Sequence, residues 1–296
     1  MKNKNQKSPI KKIFLASLLL FFFCFMGAKM AEAQTLKIGF VADWEYGSQR
    51  KYDHKSPSKA KKYLKRAVNY YNSIYKPDLA IGGGDYILSR KISKKKAKKQ
   101  LKEVTKIFNG VNAPKMYCIG NHDLFDLKKP EAMGILGLEY NYNSKDIGGV
   151  RVITLDTNED DSDGAAGRVS QAQLDWLEKQ LETELPVIVF SHHSPVLTPN
   201  GKKFRMNLYQ PEQLMSVLEK NGNVVAMFSG HRNVNYMTEV NGISYVIINN
   251  LGDTKALGSF AKINIETSED NQVTVHVEQL GKKPTSYDFS KILKSN

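Results

Sequence analysis

The sequence contains little cysteine. Of its two cysteines, Cys24 lies in an apolar N-terminal stretch, and Cys118 is the only one after residue 33. A chain left with one cysteine cannot form an internal disulfide, so we expect the fold to depend on its hydrophobic core. The sequence also lacks internal repeats and long linkers. Its 296 residues, 41% of them hydrophobic and 25% charged, are typical of one large or two small soluble globular domains.

The apolar run at residues 13–28 is too short for a comfortable membrane span. It follows a basic segment and precedes the AEA of residues 31–33, which fits a cleavage site. We therefore predict a cleavable signal peptide over residues 1–33 and export of the protein to the periplasm or the medium. The mature chain would begin near Gln34, without a stable membrane span. An uncleaved membrane anchor is the alternative.

The sequence has fewer acidic than basic residues. The full chain carries a net charge of +13, and without residues 1–33 the charge is +8. The lysine-rich stretch at residues 90–102 has no interleaved aromatic residues. It is therefore predicted to be the solvated face of a helix, and a nucleic-acid partner is not expected.

Five apolar runs each end at a cluster of polar side chains. Continuous apolar runs of this length are typical of strands that are buried on both faces. The runs cover residues 36–43, 78–85, 114–123, 186–193 and 224–231.

Helical patterns separate these runs. They cover residues 56–75, 93–108, 170–182 and 210–220, with Ser170 as an N-cap and Pro211 at a helix start. Alternation of strands and helices predicts parallel crossovers and an α/β fold. Ligand sites in such sheets lie outside the carboxyl ends of the strands, where all five polar clusters fall.

The last quarter of the chain alternates polar and apolar residues. Four short strands are predicted there, at residues 234–240, 243–250, 259–267 and 272–280, with a hairpin turn at the NG of 241–242. We expect these antiparallel strands to complete a second sheet. The tail after about residue 282 is expected to be loose.

Four of the six histidines lie in the polar clusters, namely His122, His192, His193 and His231. There they accompany carboxylates and an amide. Such a mixture can bind two divalent metal ions side by side, with one carboxylate bridging them.

Four short motifs occur in order along the chain: GD at 84–85, GNHD at 120–123, HHSP at 192–195 and GH at 230–231. Together they resemble the calcineurin-like metallophosphoesterase superfamily, which includes purple acid phosphatases and cyclic nucleotide phosphodiesterases. The resemblance covers residues 36 to 250. It implies an α/β (α+β) fold in the form of a four-layer αββα sandwich, with two mixed β-sheets flanked by helices. The metallophosphoesterase domain would span residues 34–282, followed by a C-terminal tail at 283–296.

The resemblance also implies roles for individual residues. His122 would contact the phosphoryl group and protonate the leaving oxygen, with Asp123 orienting it. Asp85 would bridge two divalent ions (Mn, Fe, Zn or Mg). Either His192 or His193 could be the metal ligand. The family's His-x-Pro spacing favours His193, whereas distance from the strand favours His192. The metal ligands would come from Asp43, Glu45, Asp85, Asn121, His192, His193, His231 and Asn233.

The first and last motifs depart from the family pattern. Glu45 stands where the family usually has the histidine of Asp-x-His, and Asn233 where it has the second histidine of Gly-His-x-His. We interpret the paired change as a first metal site made of Asp43, Glu45 and Asp85, with Asn233 as a further candidate, that is shifted toward a harder ion such as Mn²⁺ or Mg²⁺. The alternative is a weak or empty first site.

These features predict an exported, metal-dependent hydrolase of phosphomonoesters or phosphodiesters that uses metal-activated water. Its substrate would be a phosphorylated small molecule such as a nucleotide, contacted by Asn121 and His122 and by Tyr46 and Arg50 of the loop after the first strand. Two alternatives are a nuclease of the same fold and a metal-poor binding protein with weak catalysis.

Overall fold

Two six-stranded β-sheets form the centre of the molecule, and each of the five apolar runs contributes a strand. The computed structural model describes residues 34–49, 55–158, 166–198, 208–252 and 258–293. The strands are β1 (Gln34–Val41), β2 (Leu79–Gly82), β3 (Lys115–Tyr117), β4 (Asn143–Ile147), β5 (Val150–Thr154), β6 (Val187–Ser191), β7 (Val224–Ser229), β8 (Tyr236–Val240), β9 (Ile243–Ile247), β10 (Phe260–Thr267), β11 (Gln272–Leu280) and β12 (Thr285–Ile292). The first sheet has the order β12-β11-β10-β1-β2-β3, and the second has the order β4-β5-β6-β7-β9-β8.

Five α-helices are described: α1 (Ala60–Tyr70), α2 (Lys94–Phe108), α3 (Lys129–Leu136), α4 (Gln171–Gln180) and α5 (Pro211–Glu219). Four of them confirm the helical patterns of the sequence, whereas α3 was not predicted. Ser170 caps α4 as expected, because its Oγ accepts a hydrogen bond from the Gln173 N–H at 3.2 Å. None of the helices among the described residues combines the length and the apolar character needed to cross a membrane.

The two sheets pack face to face, with Phe40 of β1 against Phe190 of β6 at 5.3 Å between ring centroids. Helices α1, α2 and α3 cover the outer face of the first sheet, and α4 and α5 cover that of the second. Both sheets are mixed: β1, β2 and β3 are mutually parallel, as are β5, β6, β7 and β9, and the other pairs are antiparallel. The predicted four-layer αββα sandwich is confirmed.

Two expectations for the last third of the chain were wrong. Only β8 and β9 belong to the second sheet, whereas β10 and β11 join the first, with β10 antiparallel to β1. The described part of the tail is not loose, because β12 pairs with β11 along its whole length. Alternate residues of β12, among them Tyr287 and Phe289, pack against the core between the sheets. That alternation carries the signal of a half-buried edge strand.

Candidate metal centre

The carboxyl ends of parallel strands from both sheets bring the predicted site residues together. Asp43 and Asp85 follow β1 and β2, and His192 and His231 follow β6 and β7. Asn121 begins the short 3-10 turn after β3. All five side chains are buried. Polar groups removed from water need internal partners, so the contacts in this cluster show what the site can hold.

His192 Nε2 is the point at which three other side chains meet. It lies 3.3 Å from Asp85 Oδ2, 3.2 Å from Asn121 Oδ1 and 3.1 Å from His231 Nδ1. Neighbouring ligands of a tetrahedral ion with bonds of about 2.0–2.1 Å are roughly 3.3–3.5 Å apart. The three distances are therefore close to those expected between ligands of one ion.

The other nitrogen of His192 fixes the orientation of its ring. His192 Nδ1 lies 2.8 Å from the Gly83 carbonyl oxygen, and because a carbonyl only accepts, Nδ1 must carry a proton. In the neutral imidazole Nε2 then presents a lone pair toward the carboxylate of Asp85 and the amide oxygen of Asn121. A metal-binding histidine is held in this way by a carbonyl behind it.

Lone pairs that converge on one point are favourable only when a proton or a metal ion lies between them. Burial lowers the pKa of His192, but the charge and hydrogen bond of Asp85 outweigh burial and raise that pKa to about 9. A proton on Nε2 could be donated to only one acceptor at a time, whereas a divalent ion would satisfy all of them. In addition, His231 Nε2 is buried and has no hydrogen-bond partner among the described residues. Asp85, Asn121, His192 and His231 therefore fit a divalent metal ion.

His193 occupies a different position from His192. Its Nδ1 lies 2.8 Å from Thr157 Oγ1 and its ring packs on His231 at 4.3 Å between centroids. The two neighbouring side chains point in different directions, as expected for successive residues at a strand end. Although a nitrogen of His193 lies within 4.8 Å of nitrogens of His192 and His231, only His192 contacts both Asp85 and Asn121 in the structure.

Asp85 is the central carboxylate of the cluster. Its Oδ1 accepts a hydrogen bond from the His122 N–H at 2.8 Å, and its Oδ2 faces His192. Burial would raise the pKa of Asp85, but the imidazoles of His192 and His122 outweigh burial and hold the pKa well below its usual range. Asp85 thus stays ionised as the counter-charge of any cation bound here.

The backbone at the strand ends is strained. Non-glycine residues rarely adopt positive φ, and where several do so together the strain is associated with a functional site. Five predicted site residues have φ between 48° and 65°: Asp43, Glu45, Asp85, His231 and Asn233.

The residues predicted for the first metal site lie together, but their oxygen atoms are already paired with other groups of the protein. Glu45 Oε1 forms a salt bridge with Lys55, and Glu45 Oε2 lies 3.4 Å from Asn250 Nδ2. The same Asn250 amide donates to Asn233 Oδ1 at 2.5 Å. Both oxygens of Asp43 accept from the His231 N–H, at 3.1 and 2.9 Å. These oxygens are thus already paired within the protein, although two groups, Asp43/Asp85/His192 and Glu45/Asp85/His122, have ligand atoms within 4.8 Å of one another.

The pKa values of Asp43 and Glu45 are raised because both carboxylates are buried with too little positive charge nearby. Burial raises the pKa of Asp43 to about 6, although His192 lowers it. Burial also raises the pKa of Glu45 to about 8, against the lowering effect of Lys55. Both carboxylates would gain from a nearby cation, and Lys55 is the cation that contacts Glu45 directly.

The structure places His122 beside the cluster and assigns Asp123 a different task from the predicted one. His122 Nε2 is 4.0 Å from Asp85 Oδ2, and His122 Nδ1 has no hydrogen-bond partner among the described residues. Asp123 does not orient His122. Its carboxylate accepts instead from the backbone N–H groups of Tyr86 at 2.8 Å and Gly120 at 3.0 Å, and so braces the loop that presents Asn121.

Tyr46, predicted to contact the substrate, faces the helices of the first sheet. Tyr46 donates its hydroxyl to Glu103 of α2 at 3.0 Å, and its ring lies under Lys61 of α1 at 4.6 Å. This tyrosine therefore joins the loop to the helices, and its contact with a substrate stays a prediction. Arg50 lies outside the described residues.

Sequence reasoning missed three partners of the site. Thr157 follows β5 and contacts His193, and Asn250 follows β9 and contacts Glu45 and Asn233. Lys55 contacts Glu45 from the loop before α1. Like the predicted residues, Thr157 and Asn250 follow the carboxyl ends of strands. The strand before Thr157 was not recognised from the sequence, and Asn250 was placed inside the predicted strand 243–250.

Replacement of Gly84 by alanine is expected to destabilise the protein by about 1–3 kcal/mol. Gly84 has a φ of 87°, and an added Cβ would lie 2.7 Å from both the Gly120 nitrogen and His192 Nδ1. Urea unfolding in EDTA measures the loss. Gly134→Ala is the matched control, because a Cβ at that helical position meets nothing within 4 Å. Equal unfolding midpoints for the two variants would refute the tight packing around Gly84.

Comparison with known proteins agrees with this geometry. The sequence model of the family described as calcineurin-like phosphoesterase matches residues 36–234. A protein of Rhodococcus erythropolis named a probable cyclic nucleotide phosphodiesterase is 30% identical over 124 residues, which cover 41% of this chain and 40% of that relative. A Fibrobacter succinogenes protein with the same name is 26% identical over 211 residues, 68% of this chain and 73% of the relative.

A solved structure shows the same fold. The crystal structure of a dimetal phosphatase from Danio rerio superposes with a TM-score of 0.68 and covers 88% of this chain and 100% of its own. The two sequences are only 16% identical, so the likeness concerns the fold.

Proposed function

The chain belongs to the calcineurin-like phosphoesterase family, and from that premise we propose that it is a metal-dependent phosphodiesterase acting on small phosphorylated molecules. One observation carries the proposal. His192 Nε2 lies within 3.3 Å of Asp85 Oδ2, Asn121 Oδ1 and His231 Nδ1, and one divalent ion bound between these atoms would contact all four side chains. The cluster lies at the carboxyl ends of parallel strands, where α/β sheets bind ligands.

A divalent ion bound to these residues would offset phosphoryl charge and lower the pKa of water. The chain's own residues supply binding and orientation. Asn121 Nδ2 and His122 Nδ1 are buried and have no hydrogen-bond partner among the described residues. Both nitrogens can donate to phosphoryl oxygens. His122 is 14% exposed at its side chain, so a ligand can reach it from solvent.

His122→Ala is expected to lower kcat by about 10²–10⁴-fold with little change in metal content, because the imidazole assists the leaving oxygen and does not hold the ion. The loss should be larger for an alkyl leaving group, which needs a proton, than for p-nitrophenolate, which does not. Steady-state kinetics with both ester types measure the difference. An equal loss of kcat for both leaving groups would show that His122 does not protonate the leaving oxygen.

The substrate class is the finer part of the proposal. Both curated relatives carry the name of cyclic nucleotide phosphodiesterases, which supports phosphodiesters, and cyclic nucleotides first among them. The test is a panel of cyclic nucleotides, phosphomonoesters and plasmid DNA, each with Mn²⁺, Zn²⁺, Mg²⁺ or EDTA. Hydrolysis of cyclic nucleotides that EDTA abolishes supports the proposal. Cleavage of DNA alone would favour a nuclease, and no hydrolysis with any ion would favour a binding protein.

We also propose that the protein acts after export, on the basis of the signal-peptide pattern in residues 1–33. Mass spectrometry of the protein produced in a bacterial host with a Sec pathway would measure its N-terminus. A start near Gln34 supports export, and an intact Met1 in the cytosolic fraction refutes it.

A further inference from the structure

Lys55 is a buried cation directly beside the candidate metal centre. Its ammonium pairs with Glu45, and the whole residue is only 7% exposed. Lysine is almost never buried unless it is paired. The segment is held in place at its base, because the Ser56 N–H donates to the Gly252 carbonyl at 3.0 Å and the Gly47 N–H donates to the Pro57 carbonyl at 3.4 Å. The position of Lys55 is therefore part of the fold.

The ammonium pairs with a carboxylate that the family resemblance assigns to a metal ion. Glu45 belongs to the predicted first metal site, yet its carboxylate contacts Lys55 and Asn250. A carboxylate can pair with an ammonium, whereas the histidine that the family usually has at this position would offer no negative charge. The change to glutamate in the first motif is thus explained by the lysine without reference to a harder metal.

Charge balance supports a single metal ion. Asp43, Glu45 and Asp85 are buried carboxylates that converge from the ends of two neighbouring strands. One divalent ion and one ammonium together neutralise three carboxylates. A second divalent ion beside Lys55 would leave the buried cluster with excess positive charge and would repel the ammonium.

We infer that Lys55 replaces one of the two metal ions implied by the family resemblance, so that the protein binds one divalent ion, held by Asp85, Asn121, His192 and His231. The inference rests on the proposed metal-dependent function and specifies its metal content.

The test counts the Mn²⁺ ions bound to the EDTA-treated full chain and to its Lys55→Met variant, by equilibrium dialysis and elemental analysis. We expect one ion per wild-type chain and two per Lys55→Met chain, because methionine keeps the length of the side chain and removes its charge. Electron paramagnetic resonance should show spin coupling between two Mn²⁺ ions only in the variant. Lys262→Met, which breaks a surface pair with Glu278, is the control and should bind one ion.

The outcomes separate this inference from the proposed function. Two ions on the wild-type chain, or a single ion on both proteins, would overturn the inference and leave metal-dependent hydrolysis intact. No ion on either protein would overturn both. If Lys55→Met does not fold, the wild-type count still decides, and Lys55→Met combined with Glu45→His serves as the second variant, for which two ions are expected.

Discussion

Asp85→Asn is expected to lower kcat/KM by about 10²–10³-fold or more. Asparagine keeps the shape and the acceptor for the His122 N–H, which Asp85 Oδ1 accepts at 2.8 Å. It removes the negative charge that faces His192 at 3.3 Å. The ion would therefore lose its anionic ligand while the loop geometry is kept.

Thermal unfolding with and without metal separates this effect from misfolding. A metal at about 100 times its Kd stabilises the wild-type protein by about 2.7 kcal/mol, and Asp85→Asn should lose that gain without losing stability in EDTA. Asp146→Asn, which breaks the pair with Arg151 at 2.7 Å on the β4–β5 hairpin, should retain activity and the metal response. A variant Asp85→Asn that keeps both would show that this carboxylate does not serve a metal.

His192→Gln is expected to abolish the metal-dependent gain in stability together with the activity, whereas His193→Gln should keep the ion and lose at most about 10–100-fold in activity. The reason is geometric. His192 Nε2 contacts Asp85 and Asn121, while His193 Nδ1 contacts Thr157 Oγ1. Isothermal titration with Mn²⁺ and steady-state kinetics measure the two effects.

The two variants control each other, because both remove a fully buried imidazole from adjacent positions. A similar loss of stability in EDTA for both would show that burial alone does not explain the difference. Loss of metal binding in His193→Gln with retention in His192→Gln would reverse the assignment and favour the family's His-x-Pro spacing.

The sequence predicted the strand ends well because the rule behind them is local. A buried parallel strand is a continuous apolar run, and the cluster of polar residues at its carboxyl end marks the edge where ligands bind. Asp43, Asp85, Asn121, His192 and His231 all satisfy that rule, and the structure brings them together. The same rule could not rank His192 above His193, since the choice depends on a carbonyl of Gly83 from another strand.

The missed features depend on contacts between distant segments. Lys55 lies in a loop with no periodicity, and nothing in its neighbourhood shows that its ammonium reaches Glu45. Asn250 contacts Glu45 across 205 positions of sequence. Asp123 looked like a partner of its neighbour His122, but the tight 3-10 turn directs its carboxylate toward backbone N–H groups. Contacts of this kind depend on how distant segments pack in the tertiary fold, and they cannot be read from local sequence patterns.

The central claim is that four side chains from both sheets hold a divalent ion. Anomalous diffraction from crystals of the Mn²⁺-loaded protein would locate the ion directly. We predict a single peak about 2.0–2.3 Å from Asp85 Oδ2, Asn121 Oδ1, His192 Nε2 and a nitrogen of His231. No peak at saturating Mn²⁺, with His192 Nε2 still at hydrogen-bond distance from Asp85, would mean that a proton fills this position and would contradict the account.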